Sequence, residues 1–204
     1  MPASRAVKLA NKASSARLAS LVSSTYELPS ITLRVQVLHS NDLKQNQRDS
    51  IWAIFEANMY ELYKNSSFGW DPVAKRKELF NSLSRFILLY QTDTRTLEAF
   101  TMFRFEDEED EDVIYCYDLQ VTAFFQGMGL GKKMLSELGK LGQTFYMEKI
   151  MLTVLKGNMK AALFYKATGF SMDPSSPDYL ESDDEFEGDE ISEEVDYEIL
   201  SKKV

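Results

Sequence analysis

Gln126-Gly127-Met128-Gly129-Leu130-Gly131 stands between a run of β-branched and aromatic residues at 113–121 (VIYCYDLQV) and a stretch whose apolar residues, Leu130, Met134, Leu138, Leu141 and Phe145, recur at helical spacing. A strand, a turn carrying three glycines and a helix make a local frame suited to an anion. Glycine lets backbone N–H groups approach a ligand without interference from Cβ, and the helix N-terminus adds unpaired donors and a favourable dipole. The spacing is not that of a P-loop, which needs Gly-Lys-Ser/Thr. It is also a poor dinucleotide fingerprint, because Glu148 opens the next strand rather than ending it. On the turn alone, a phosphate site and an ordinary tight turn remain alternatives.

Working outward, Lys149–Leu155 (KIMLTVL) reads as a buried strand, Gly157-Asn158 as a turn, Met159–Ala167 as a short helix, and Phe170 as the start of a further strand. Upstream, Arg85–Gln91 and Leu97–Phe105 read as an antiparallel hairpin, with the acidic run 106–112 as the turn before 113–121. Ile31, Leu33, Val35 and Val37 alternate with polar residues, which predicts a strand. Asn46–Tyr63 presents Ile51, Ile54, Phe55, Met59 and Leu62 on one helical face, and Asp71-Pro72 is an N-cap followed by proline at the first helical position. Residues 196–201 (DYEILS) form a last strand. This order predicts a single α/β domain at 25–204 with a mixed sheet and few βαβ units, not a doubly wound one. An acidic loop is expected within it at 173–194, and a basic segment at 1–24 is expected as a surface helix or an arm, a targeting role being the other reading.

Composition narrows the function classes. The chain has 204 residues, 44% of them hydrophobic, enough for a sizeable core. One cysteine, Cys116, and one histidine, His39, exclude an internal disulfide and a His/Cys zinc site, so no metal is expected. No apolar run approaches the roughly 20 residues that span a bilayer. The net charge is −9, with seven consecutive acids at 106–112 and twelve acids between Asp178 and Glu198. That balance disfavours nucleic acid and anionic membranes as partners and favours a cationic one; solvated loops are the plainer reading of the same runs.

Two motifs together carry a resemblance. Gln126-x-x-Gly129-x-Gly131 is similar to the acetyl-CoA signature of the GNAT acetyltransferases. Asn158, Ala161, Phe164-Tyr165 and Gly169-Phe170 are similar to that superfamily's second signature, in the same order and in the same strand–helix context. The resemblance implies a twisted, mostly antiparallel sheet flanked by helices. It implies a pyrophosphate held by Gln126, Gly127, Met128, Gly129, Leu130 and Gly131, a pantetheine running along Leu119, Gln120 and Val121, and Asn158 and Tyr165 against the cofactor. Further stretches, Ser67-Phe68-Gly69-Trp70, Phe103-Arg104-Phe105-Glu106, Tyr115-Cys116-Tyr117-Asp118 and Tyr197–Ser201, resemble the NatD-type N-alpha-acetyltransferases that modify histone H4 and the 2A-type histone. That likeness covers roughly residues 53–201. It implies a monomer in cytoplasm and nucleus, with basic histone tails beginning Ser-Gly-Arg-Gly as partners and ribosome association as a further expectation.

The residues can be read for the same chemistry. Acetyl transfer from a thioester needs a neutral amine, and an α-amine with a pKa near 8 needs only mild help to lose its proton. Tyr115, Tyr117 and Asp118 could relay that proton, with Tyr165 as a further catalytic candidate. The two tyrosines share one face of their strand and Asp118 takes the other, unless a bulge, which the resemblance implies, re-aims it. Core packing is the alternative for both tyrosines. Glu106 and Asp118 are expected to receive the tail's arginine as a carboxylate pair. Phe68 and Trp70 are expected to wall the first residues of the acceptor, Trp70 having a packing role as its alternative, and Tyr63 and Tyr197 to supply hydroxyls to the peptide backbone or to the amine. Cys116 reads as a buried structural thiol rather than a nucleophile, and His39 as an exposed residue. A lysine- or polyamine-directed acetyltransferase and a non-catalytic acyl-CoA- or histone-binding module are the competing readings.

Overall fold

Two short helices open the chain, α1 (Arg5–Asn11) and α2 (Ser15–Ala19), each begun by a serine whose side chain accepts a first-turn N–H: Ser4 from Val7, Ser14 from Arg17. The computed structural model describes residues 4–179 and 195–204. β1 (Thr25–Leu28) and β2 (Ile31–His39) form a hairpin, followed by α3 (Gln45–Lys64) and α4 (Pro72–Leu79). The Asp71 side chain caps α4 by accepting from the N–H groups of Val73 and Ala74, with Pro72 at its first position. Then come β3 (Arg85–Gln91), β4 (Leu97–Glu108), β5 (Glu111–Val121), α5 (Leu130–Phe145), β6 (Lys149–Leu155), α6 (Met159–Ala167), β7 (Ser171–Met172) and β8 (Tyr197–Lys203). All eight strands join one sheet in the order β1-β2-β3-β4-β5-β6-β8-β7, antiparallel throughout except for β5 and β6, which α5 connects. The expected mixed, mostly antiparallel α/β sheet is therefore the observed one.

The sheet buries both faces. On one, Leu33, Ile87, Leu89, Phe103, Phe105 and Cys116 meet the apolar stripe of α5 together with α1 and α2. On the other, Phe86, Leu88, Phe100 and Met102 meet Ile51 and Phe55 of α3 and Leu79 of α4. The alternation of inward side chains along β3 and β4 supplies both cores at once, which explains why these strands are apolar at nearly every position.

Three expectations need correction. Residues 5–19 are not a surface appendage: Val7, Ala10 and Leu18 are buried in the larger core, and the Arg85 guanidinium donates to the Asn11 carbonyl at 3.0 Å. Ser23 fixes the following turn by donating its hydroxyl to Glu137 of α5 at 2.7 Å. Three apolar residues spread over an Ala/Ser-rich stretch leave little periodic signal, so their burial was not legible. Second, the acidic run is no loose turn, since β4 and β5 continue through Glu106, Asp107 and Glu108 to Glu111, Asp112 and Val113. Only Glu109 and Asp110 turn the chain, both at positive φ (52° and 67°), the two-residue connection whose twist matches the flanking strands. Third, His39 is half-buried, not exposed; β1 stands outside β2 at the edge of the sheet. The expected acidic loop at 173–194 lies, from residue 180 onward, outside the described residues; Asp173, at its start, is buried and paired with Lys149 of β6 at 2.8 Å.

The packing of the N-terminal helices has a measurable consequence. Leu18→Ala should lower the free energy of unfolding by about 2–5 kcal/mol, whereas Lys12→Ala, on the exposed side of the same segment, should change it by less than about 0.5 kcal/mol. Urea titration of both variants tests this; equal, small losses would return the segment to the surface.

Candidate active site

The β4–β5 ladder contains one irregularity. Met102 faces Asp118 while the next residue, Phe103, faces Cys116, so Tyr117 is an extra residue on β5. The parity of side chains changes there. Tyr115, Tyr117 and Asp118 all face the α3–α4 side, although strict alternation would send Asp118 away, and Cys116 points into the opposite core. A second departure lies on the other side of β5. It pairs with β6 only from Val113–Lys149 to Tyr115–Met151. Beyond that point the two parallel strands separate, and two cavities occupy the opening.

The first cavity, about 410 Å³, is lined by Met59, Tyr63, Phe68, Lys75, Glu78, Glu108, Tyr115, Tyr117, Asp118, Thr153, Asn158 and Tyr165 among others. The Tyr117 hydroxyl donates to Glu106 Oε2 at 2.9 Å, and the Arg104 guanidinium lies over the Tyr117 ring at 4.2 Å. The Tyr115 hydroxyl shares a 2.6 Å hydrogen bond with Thr153 Oγ1 across the strand opening. Asp118 is 5% exposed; its Oδ1 accepts from Gln120 at 3.1 Å, and its Oδ2 lies 3.2 Å from Lys75 Nζ. Burial pushes the Asp118 carboxyl up, and the Lys75 ammonium and the Gln120 amide only partly oppose it. Lys75 is itself driven up: burial works against its charge, but Asp118, Tyr63 and Glu78 more than offset that. Burial likewise raises Tyr115, and raises the fully enclosed Tyr165 well above its ordinary value. Glu108 is raised by burial and by the neighbouring carboxylates of Glu106, Glu109 and Asp107.

The second cavity, about 680 Å³, runs along Leu119, Gln120 and Val121, then past Gln126, Gly127, Gly129, Leu130 and Gly131 to Lys160 and Phe164. It shares Met59, Leu119, Gln120, Asn158, Ala161 and Tyr165 with the first, so the two form one continuous cleft. α5 opens on this cleft without a side-chain cap, leaving its first N–H groups directed at whatever lies there. The glycines serve different ends. Gly127 and Gly129 hold φ of +80° and +82°, where no Cβ would meet anything within 4 Å. At Gly131, by contrast, a Cβ would come within 2.8 Å of the Phe164 ring. The first two shape the turn, and the third lets α6 close against α5. An uncapped helix start, a turn free of side chains and an apolar channel fit the diphosphate and pantetheine arm of a coenzyme A thioester. Asn158, expected to orient that ligand, also caps α6 by accepting from the Ala161 N–H.

The structure brings together Tyr63, Phe68, Tyr115, Tyr117, Asp118 and Tyr165 as expected neighbours, and leaves others outside. Trp70 does not line the cavity; its ring stacks with Phe55 at 6.1 Å and packs on Trp52, Tyr60 and Tyr63. Tyr197 lies behind Phe68, ring centroids 5.3 Å apart. Met128 projects outward from the glycine turn, 40% exposed. Glu106 and Asp118 are not a pair: Asp118 faces Met102, four residues before Glu106, which places them roughly 13 Å apart along the strand. Lys75, Glu78, Glu108 and Thr153 were missed. Lys75 and Glu78 share a charged helix in which nothing marks the buried turn, and Glu108 sat within a run of like residues.

A twisted sheet opened between two parallel strands, with an uncapped helix over the opening, defines a protein that binds an acyl thioester and presents it to an acceptor beside the same strand. Residues 51–170 match the acetyltransferase (GNAT) family, and the chain belongs to that family. It is similar in fold to an acetyltransferase of the GNAT family from Staphylococcus aureus, at 12% identity and TM-score 0.57, covering 83% of this chain and 98% of that one. It is also similar to an acetyltransferase from Streptococcus agalactiae, at 13% identity and TM-score 0.58 with the same coverage. A third likeness is to the ribosomal-protein-S18-alanine N-acetyltransferase of Escherichia coli, at 16% identity and TM-score 0.52, covering 83% of this chain and 93% of that one. Acetyl-CoA is the acetyl donor of the family, and among the described residues no group of side chains is arranged to hold a metal ion.

The turn gives a direct test. Gly129→Val forces a branched residue into a left-handed conformation at the start of α5. The folded variant should bind acetyl-CoA roughly tenfold or more weakly by calorimetry; unchanged affinity would remove the turn from the ligand site.

Proposed function

We propose that the protein transfers acetyl from acetyl-CoA to the α-amine of basic protein tails beginning Ser-Gly-Arg-Gly, the start shared by histone H4 and the 2A-type histone. The observation that carries this reading is the join between an aromatic-walled, tyrosine-lined cavity and an acidic strand end. Glu108 lines both the acceptor cavity and the neighbouring groove, where it is joined by Glu106. Two residues apart on β4, Glu106 and Glu108 face the same way, and they replace the Glu106–Asp118 pair as the receivers of the third-position arginine. The name of the Escherichia coli relative describes an acceptor of the same chemical class, a protein amine. We extend the proposal to a monomeric enzyme of cytoplasm and nucleus that meets its substrates there or at the ribosome.

When bound, acetyl-CoA supplies an acetyl group activated as a thioester. Gln126, Gly127, Gly129, Leu130 and Gly131 would hold its phosphates, and Leu119–Val121 its pantetheine arm. In the acceptor cavity, Tyr63, Phe68, Tyr115 and Tyr117 would enclose the first residues of the tail and exclude water. Asp118 would accept the proton that the amine loses. Tyr165, kept protonated by burial, would donate a hydrogen bond to the sulfur that leaves as a thiolate. Cys116 takes no part. It is buried on the far side of β5, its thiol pushed up to about 12 by burial, and thus is no thiolate nucleophile near neutral pH.

Two measurements decide the matter. Charge-assisted hydrogen bonds contribute about 1.5–3 kcal/mol each. Glu106→Gln should therefore lower kcat/KM for a Ser-Gly-Arg-Gly peptide roughly tenfold to a hundredfold, mostly through KM. Wild type should lose as much with alanine at the third position, and the two losses should not add. Full additivity, or acetylation mapped by mass spectrometry to a lysine side chain or a polyamine, would refute the reading. Cys116→Ala should keep most of the activity, and no acetyl group should be trapped on the protein in the absence of acceptor; a trapped acetyl lost in that variant would establish a covalent route instead.

A further inference from the structure

Lys75 is a buried cation, 8% exposed, on a helix whose other basic residues face solvent or the surface. Its ammonium lies 2.5 Å from Glu78 Oε1 and 3.2 Å from Asp118 Oδ2, over the rings of Phe55 at 5.0 Å and Tyr63 at 5.5 Å. We propose that Lys75 is a positioning residue that keeps Asp118 ionised and turned toward the acceptor cavity. The proposal rests on the reading of Asp118 as the group that takes the proton of the acceptor amine.

The geometry of the two carboxylate oxygens is the reason. Oδ1 accepts from Gln120, whose own Oε1 is held by the Asn58 amide of α3 at 3.0 Å. Oδ2 is buried, and Lys75 Nζ stands 3.2 Å from it. Lys75 thus sets a compensating charge against a carboxylate whose residue lines the cavity. The other groups that face Asp118 cannot replace it. Glu78 on α4 is a second acid that raises Asp118 further, and Tyr63 on α3, Cys116 on β5 and Tyr165 on α6 are neutral at ordinary pH. Without Lys75, a carboxyl this deeply enclosed would keep its proton and lose its function as an acceptor. Stability alone does not account for the arrangement, since a buried ion pair gives little over apolar residues of the same volume. The aromatic rings explain how the ammonium tolerates its place: they attract the cation while leaving it free to donate to Glu78 and to stand 3.2 Å from Asp118 Oδ2.

The test compares wild type, Lys75→Met and Lys75→Arg as full chains. The pH dependence of kcat/KM with a Ser-Gly-Arg-Gly peptide is measured alongside the carbon-13 titration of the Asp118 carboxyl, assigned by its absence in Asp118→Asn. The peptide amine titrates identically in every case, so any displacement belongs to the protein. In Lys75→Met, the acidic limb of the profile and the Asp118 midpoint should both move up by about one pH unit or more, giving roughly a tenfold loss on the acidic limb that recovers as the pH rises above the new midpoint. Lys75→Arg should hold both near their wild-type positions. Lys75→Gln takes the place of the methionine variant if the latter does not fold. A limb and a midpoint that stay in place while the thermal midpoint falls would make Lys75 a structural residue and overturn the proposal. If wild type fails to acetylate the peptide at all, the acceptor assignment falls instead, and the carboxyl titration still decides the effect of Lys75.

Discussion

Between Met102 and Phe103 the β4–β5 ladder takes in one extra residue, Tyr117, and the placement of every group around the acceptor cavity follows from it. In a regular strand Asp118 would share a face with Cys116 and enter the larger core, where an ionisable carboxyl has no partner. The added residue turns it to the face covered by α3 and α4, within reach of Lys75 and Gln120. Tyr115 and Tyr117 stand side by side on that face, ring centroids 4.8 Å apart, with one hydroxyl bound to Thr153 and the other to Glu106.

The second constraint is the short pairing of β5 with β6. Parallel strands joined by a helix ordinarily stay paired along their length. Here three residue pairs are followed by separation, and the freed edge of β5 from Leu119 to Val121 borders the long cavity. The uncapped start of α5 and the outward-turning glycines then complete a channel that neither strand could form alone. Rigidity behind this opening comes from the two cores. Phe103, Phe105 and Cys116 are clamped by α5, and Phe100 and Met102 by α3, so the bulge is held from both faces. The N-terminal helices belong to that clamp, and Val7 and Asn11 of the first also line the groove beside Glu106 and Glu108.

Charge is divided by depth. Near the surface, Glu108 is raised by burial and by the carboxylates around it, while Glu106 accepts from the Tyr117 hydroxyl at 2.9 Å and lies 3.7 Å from the Arg104 guanidinium. Deeper in, Lys75 compensates Asp118 and Glu78 from within the fold.

The family and most of the fold were legible because they depend on local patterns. The glycine turn, the Asn158–Phe170 signature, the β3 and β6 boundaries and the cap at Asp71 are set by residues close in sequence, and their periodicities match what the chain forms. Tertiary structure alone decided where charges meet. Sequence parity could not fix the face of Asp118, because a bulge changes that parity and is a property of two strands rather than one. Trp70 and Tyr197 were assigned to the acceptor wall by their type, but their surroundings, Phe55 and Trp52 for one and Phe68 for the other, come from distant segments. Lys75 looked like any lysine of a charged helix until α4 docked on Phe55, Tyr63 and Asp118, since burial depends on what packs against a residue and not on its neighbours along the chain.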